Sequence, residues 1–177
     1  MNNLFTTFPE LKTARLLLRE VLLKDKVELF ELRSNDLVNK FTTRNIPKNT
    51  QDVESFILDI HELVNSKKGI YWVLEYEHKV IGSIGLRHFN KNNTYAEIGY
   101  ELHPDFHGLG FMSEALKKVL WFGFTKLQLM EIEAYTHGEN ESSIKLLKRH
   151  KFQLKKDKID FHFENNIIFG LIKNEYQ

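Results

Sequence analysis

The stretch His103-Pro104-Asp105-Phe106-His107-Gly108-Leu109-Gly110-Phe111-Met112-Ser113-Glu114-Ala115 decides how the rest of the chain is read. Before it lies an alternating run, Tyr95 to Leu102. Behind it lies the clearest amphipathic pattern in the chain, Gly110 to Lys126, with Met112, Ala115, Leu116, Val119, Leu120 and Gly123 on one apolar stripe. A strand therefore passes through a glycine turn into a helix. The glycines permit a sharp turn and a close approach of the backbone to a ligand. Successive N–H groups in such a turn converge as a nest, and the helix adds about half a positive charge at its N-terminus. Together these suit a diphosphate. Glycines at such turns also serve geometry alone, so Gly-x-Gly is not specific by itself. No Gly-Lys-Ser/Thr follows, so this is not a P-loop, and the third glycine of a dinucleotide fingerprint is missing.

Working outward, Ile70 to Tyr76, Lys79 to Leu86 and Tyr95 to Leu102 read as strands joined by short turns, an antiparallel meander. Upstream, Thr50 to Val64 reads as a helix through Val53, Phe56, Ile57, Ile60, Leu63 and Val64, with Thr50 as its cap. Asp25 to Arg33 reads as a short helix, Arg15 to Val21 as a strand and Asn35 to Pro47 as a loop. Downstream, Glu131 to Thr136 is a strand and Asn140 to His150 a helix capped by Asn140. Phe152 to Lys156 and Ile159 to Ile172 are closing strands. Strands mixed with helices in this order imply an α/β (α+β) layered fold.

The 177 residues suit one domain, read as a lead over 1–12 and a domain over 13–177. Apolar residues make up 42%, enough for a sizeable core. The chain has no cysteine, which excludes disulfides, thiolate metal sites and a cysteine nucleophile. Twenty-five basic residues against 24 acidic ones give no electrostatic case for nucleic acid. The basic run Lys145, Lys148, Arg149, His150, Lys151, Lys155 and Lys156 reads as a solvated helix end. No apolar run approaches the ~20 residues that span a bilayer, and the N-terminus carries no signal pattern. A cytoplasmic protein is expected, with no membrane or nucleic-acid partner. His103 and His107 are separated by Pro104 and lead into the glycine turn, so no helix presents both to a metal, and no metal site is expected.

The quoted stretch resembles the coenzyme A motif of the GNAT acetyltransferases, above all the RimJ/RimL branch that acetylates ribosomal-protein N-termini. Three further segments are similar to that branch and stand in the same order: Thr13-Ala14-Arg15-Leu16-Leu17-Leu18-Arg19, Ala96-Glu97-Ile98-Gly99-Tyr100-Glu101-Leu102 and Asn140-Glu141-Ser142-Ser143-Ile144-Lys145-Leu146-Leu147. The resemblance covers Thr13 to Ile172. It implies a GNAT fold: a mixed, mostly antiparallel central sheet whose fourth and fifth strands splay apart, flanked by about four helices. It also implies acetyl-CoA as cosubstrate, no metal, and an amine acceptor. That acceptor is a protein N-terminal α-amine or, as the alternative, a small amine, polyamine or amino-sugar. A homodimer is compatible with the branch. The sequence departs from the pattern at His107, Met112, Lys151 and Leu147. The first two keep open a non-catalytic acyl-CoA-binding module.

Acetyl transfer to an amine needs a base, a polarised carbonyl, a proton for the leaving thiolate and close positioning. The resemblance implies that Leu102, His103, His107, Gly108, Leu109, Gly110, Phe111 and Met112 hold the coenzyme, with Asn140 reaching its pantetheine arm and Ser143 near its sulfur. Glu97 is read as the general base, sharing a strand face with Tyr95, Gly99 and Glu101. A surface ion pair is the other reading of Glu97, and simple capping the other reading of Asn140. Tyr100 reads as a packing aromatic with a polar tip, and Glu114 as a complement to the helix dipole.

Overall fold

The structure, a computed structural model of the chain, describes residues 7–176. Two short strands, β1 (Leu11–Lys12) and β2 (Leu17–Arg19), pair antiparallel at the start. Helices α1 (Lys26–Ser34), α2 (Asp36–Asn39) and α3 (Thr50–Asn65) follow. The meander consists of β3 (Gly69–Tyr76), β4 (Lys79–Arg87) and β5 (Tyr95–Leu102). Then come α4 (Phe111–Trp121), β6 (Glu131–His137), α5 (Glu141–Arg149), β7 (Gln153–Leu154) and β8 (Asn166–Ile172). The sheet order is β1-β2-β3-β4-β5-β6-β8-β7, antiparallel throughout except for β5 with β6.

That parallel pair opens the molecule. Its ladder contains only Tyr95↔Glu131, Ala96↔Ile132 and Glu97↔Glu133. Beyond Glu97 each strand follows its outer neighbour. β5 stays on β4 as far as Leu102, opposite Gly82, and β6 stays on β8 as far as His137, opposite Asn166. The result is the V-shaped slot expected between the fourth and fifth strands. Past the vertex, alternate peptide groups of β5 have no strand beside them and face the slot.

Alternation along β5 separates two sides. Ala96 and Ile98 are buried in the main core with Leu116, Val119, Ile132 and Leu147, on the side of α4 and α5. Glu97, Gly99 and Glu101 face the other side, where Val73 packs with Leu29, Val53 and Ile57 of α1 and α3. Each fully buried aliphatic side chain stabilises by roughly 1.5–3 kcal/mol.

Several boundaries differ from the sequence reading for local reasons. The segment Asn35 to Pro47 is not all loop. Asn35 accepts from the amides of Leu37 (2.9 Å) and Val38 (3.4 Å), which is enough to start the one-turn α2 and bring the α-helices among the described residues to five. Asn49, not Thr50, caps α3 by accepting from the Asp52 amide at 3.0 Å. The first long strand shrinks to Leu17–Arg19, and α4 gives way to a π-helical turn over Phe122–Lys126. The last strand begins only at Asn166 because Asp160 gathers a turn, accepting from the amides of His162 (2.9 Å) and Phe163 (3.3 Å) and from Asn166 Nδ2 (2.9 Å). No helix among the described residues is long and apolar enough to cross a membrane.

Helix α5 closes in a Schellman turn. The Phe152 amide donates to Leu147 O (3.1 Å) and the Lys151 amide to Lys148 O (3.0 Å), with Lys151 at φ +66°. The lysine therefore adopts the left-handed conformation that glycine takes without strain. A Lys151→Gly variant should be more stable by about 0.5–1 kcal/mol, seen as a higher Tm. An unchanged or lower Tm would mean that the lysine side chain contributes more than the strain it imposes.

Candidate active site

Between β5 and α4 the chain makes a short 3₁₀ turn over Pro104–Phe106 and then passes Gly108 and Gly110, at φ +75° and +83°. Only glycine enters that region freely. The early amides are used within the turn: His103 N donates to Ile81 O (2.8 Å), Phe106 N to His103 O (3.0 Å) and His107 N to Pro104 O (2.9 Å). From Gly108 to Ser113 no amide has a protein acceptor among the described residues. The next, Glu114 N, donates to Gly110 O at 3.0 Å. The cradle thus runs over Gly108, Leu109, Gly110, Phe111, Met112 and Ser113, and an added Cβ on Gly108 would meet nothing within 4 Å. This is a site for an anion held by main-chain N–H groups at a helix N-terminus.

The side chains around the cradle brace it. His107 turns its ring back so that Nε2 meets Leu102 O at 2.9 Å. His103 is a turn residue, its Nδ1 accepting from Asp105 N at 3.3 Å. Phe111 and Met112 point into the core, so the bulk of Met112 does not crowd the loop. Arg15 ties the first strands to the cradle: Nη1 donates to Leu109 O (3.0 Å), Nε to Glu114 (2.8 Å), and its guanidinium stacks 4.2 Å from the Phe111 ring centroid. Partial burial works to raise the Glu114 carboxyl. The Thr13 hydroxyl with the Arg15 amide and guanidinium outweighs it, holding Glu114 below the ordinary value.

On the core side of the slot, the Tyr100 hydroxyl of β5 lies 2.8 Å from the Ser143 hydroxyl of α5. Burial pushes the Tyr100 phenol up to about 12, with Ser143 opposing, so it keeps its proton at neutral pH. Leu147 is fully buried one turn along α5. Asn140 Oδ1 caps that helix, accepting from Ser143 N (3.2 Å) and Ser142 Oγ (2.9 Å).

On the opposite side, Glu97 stands at the vertex with Oε2 2.7 Å from His88 Nδ1. Glu101, two residues beyond Gly99 on the same face, is enclosed by Arg33 Nη1 (3.0 Å), Arg44 and Ser83 Oγ (3.1 Å). Burial alone would raise Glu101, but the two arginines and the hydrogen bonds from Arg44 and Ser83 prevail and hold it low. It is therefore a poor base. The segment after α2 runs across the open end of the slot on this side. Its Arg44 holds Glu101 near the end of β5, and its Phe41 ring lies 5.2 Å from His137 at the end of β6.

Two shallow concavities, of about 330 and 340 Å³, lie elsewhere, one lined by Lys12 to Leu17 with Glu75, Glu77 and His78, the other by Leu63, Lys67, Lys68, His88, Phe89 and Asn93. Neither is the slot, and neither gathers main-chain donors as the glycine turn does. Among the described residues no group of three His, Asp or Glu could hold a metal ion.

Residues 15–153, from the arginine that braces the cradle to the first residue of β7, match the model of the acetyltransferase (GNAT) domain. The chain belongs to the GNAT acetyltransferase family. It is an acetyl-CoA-dependent N-acetyltransferase by that membership and by its relatives. It is 35% identical over 148 residues to an uncharacterized N-acetyltransferase, YoaA, of Bacillus subtilis, covering 82% of this chain and 84% of that one. The fold is shared with Mycobacterium smegmatis RimJ in complex with CoA-disulfide, at TM-score 0.81 and 19% identity over 94% and 88% of the two chains. It is shared too with the ribosomal-protein-S5-alanine acetyltransferase of Vibrio fischeri, at TM-score 0.78 and 18% identity over 96% and 99%.

For this GNAT chain, the sequence points to Gly108, Leu109, Gly110, Phe111 and Met112 in the glycine turn and to Glu97 on β5, but not to Ser113. It did not anticipate the hydroxyl pair Tyr100–Ser143, the His88–Glu97 contact or the enclosure of Glu101. Strand alternation signalled Glu101 by placing it on the face of Glu97. Nothing in the sequence signalled Arg33 or Arg44, which come from α1 and the segment after α2.

Proposed function

We propose that this GNAT enzyme transfers the acetyl group of acetyl-CoA to a protein N-terminal α-amine in the cytoplasm. The observation that carries the reading is the run of unpaired amides from Gly108 to Ser113 at the mouth of the β5–β6 slot. The coenzyme supplies an acetyl group activated as a thioester. The amide cradle and the positive end of α4 take its diphosphate, and the free edge of β5 from Ile98 to Leu102 offers hydrogen bonds to the pantetheine arm. Asn140, at the start of α5, is read as reaching towards that arm while its Oδ1 caps the helix. Glu97 takes the proton that the acceptor amine must lose. Ser143, held by the Tyr100 hydroxyl, donates a hydrogen bond to the departing sulfur, and the phenol stays protonated throughout. The domain is read over 13–177, and the lead at 1–12 adds β1 to its sheet.

The protein acceptor is supported by the four motifs in RimJ/RimL order and by the shared fold with the ribosomal-protein-S5-alanine acetyltransferase. The test is thiol release from acetyl-CoA with a panel of N-terminal peptides, polyamines and amino-sugars. Turnover with peptides above that with the small amines is expected. Turnover confined to small amines would move the acceptor to that class. Coenzyme binding without turnover on any amine would leave only the acyl-CoA-binding reading.

A further inference from the structure

The enclosure of Glu101 contains more donors than it can use. Arg33 and Arg44 each place a guanidinium nitrogen on the carboxylate, and Ser83 adds its hydroxyl. Arg44 Nε is occupied by Asn39 Oδ1 at 2.8 Å, and Asn39 is itself fixed by donating from Nδ2 to Arg33 O (2.7 Å) and Asn35 O (2.9 Å). Arg33 is further committed to the Phe56 ring, its guanidinium carbon 3.7 Å from the centroid. Two buried donors are left over in the same cluster among the described residues: Arg44 Nη2 has no partner, and the Tyr71 hydroxyl lies beside Ser83 without completing a hydrogen bond to it, while Ser83 donates to Glu101. Burial keeps Tyr71 protonated, so its hydroxyl is a donor. Two guanidinium groups around one carboxylate leave one positive charge uncompensated. A buried donor without an acceptor is destabilising. Two of them beside a surplus charge are the complement of an anionic oxygen.

The place is the acceptor side of the slot. In register, Val73, Ser83 and Glu101 form one row across the sheet, and Tyr71, Gly85 and Gly99 form the next towards Glu97. Above Gly99 the face is open, because an added Cβ would meet only the Arg87 guanidinium, at 3.8 Å. An amine beside Glu97 would thus lie about 7–14 Å, two to four strand residues, from the cluster. The segment carrying Arg44 spans the ends of both splayed strands, so an acceptor entering there passes it.

We propose that Arg44 and Tyr71 form a subsite for an anionic group of the acceptor, a carboxylate or phosphate oxygen, so that this enzyme selects primary amines that carry negative charge close to the amine. The inference rests on the acetyl-transfer reading and adds the acceptor's chemical class. The acceptor oxygen accepts from Arg44 Nη2 and Tyr71 Oη, and Glu101 stays in place as the scaffold that aims Arg44.

The test uses matched pairs: peptides with Asp against Asn at the second position, β-alanine against its amide, and phosphoethanolamine against ethanolamine. The expected result is a kcat/KM at least tenfold higher for the anionic member of at least one pair, and which pair responds identifies the source of the charge. Tyr71→Phe removes only a hydroxyl that lies beside Ser83, so a structural role predicts at most a changed Tm with an unaltered ratio, whereas the subsite predicts that the ratio narrows about tenfold. Arg44→Gln should abolish it. A second readout needs no turnover: with coenzyme A present, the anionic member should raise the Tm of the wild-type protein more than its neutral partner, and lose that advantage in Tyr71→Phe. Turnover with equal kcat/KM within every pair, or equal Tm shifts, overturns the subsite while leaving acetyl transfer intact. Selective Tm shifts without thiol release from any amine would keep the subsite and overturn the transfer reading.

Discussion

Glu97→Gln should lower kcat by roughly 10²–10⁴-fold, the usual worth of a positioned general base, while the KM for acetyl-CoA stays near its wild-type value. Glutamine keeps the shape of the side chain and a hydrogen bond to His88, but it cannot accept the amine proton. The loss should appear in chemistry rather than folding. The contact with His88 has an imidazole that is 64% exposed, and exposed pairs of this kind contribute little to stability. Steady-state kinetics with a saturating amine, alongside thermal denaturation, separate the two effects. A fall of less than threefold with an unchanged Tm would remove Glu97 from the mechanism. Glu101 would not inherit the role, because its two arginines hold it ionised and poorly basic.

Gly110→Val should raise the KM for acetyl-CoA by about tenfold or more. At φ +83° a β-branched residue is strained by about 1–3 kcal/mol, and each 1.4 kcal/mol is a factor of ten in affinity. The strain is conformational rather than steric, since the nearest atom to an added Cβ is Arg15 Nη2 at an ordinary 3.5 Å. The loop can relieve it only by rotating the peptides on either side of residue 110, which turns the amides of Gly110 and Phe111 away from a shared anion. Calorimetric titration of coenzyme A should show the same loss. An affinity equal to wild type in a folded variant would mean that the diphosphate is held elsewhere, and the assignment of the cradle would fall with it.

How much of this was legible beforehand follows from the range of each interaction. Strand β5, helix α4 and the turn between them depend on alternation, on an apolar stripe and on two glycines, all local in the chain, and the sequence shows them directly. The cap at Asn140 is visible for the same reason. The one-turn α2 was hidden because it depends on a single side-chain cap at Asn35 rather than on periodicity. The last strand looked longer than it is because its apolar residues Ile159, Phe161 and Phe163 imitate a strand pattern. The turn around Asp160 and the high exposure of those side chains show otherwise.

By itself, the sequence determined the layered α/β fold, the order of its elements and the glycine cradle, because backbone conformation and hydrophobic periodicity are written within a few residues of one another. Tertiary structure alone gave the two carboxylates of β5 different surroundings. Glu97 and Glu101 share a strand and a face, yet one meets an exposed histidine and the other is surrounded by Arg33, Arg44 and Ser83. Those partners come from α1, the α2–α3 segment and β4, and their effect exists only when folding removes water and brings the charges within a few ångströms.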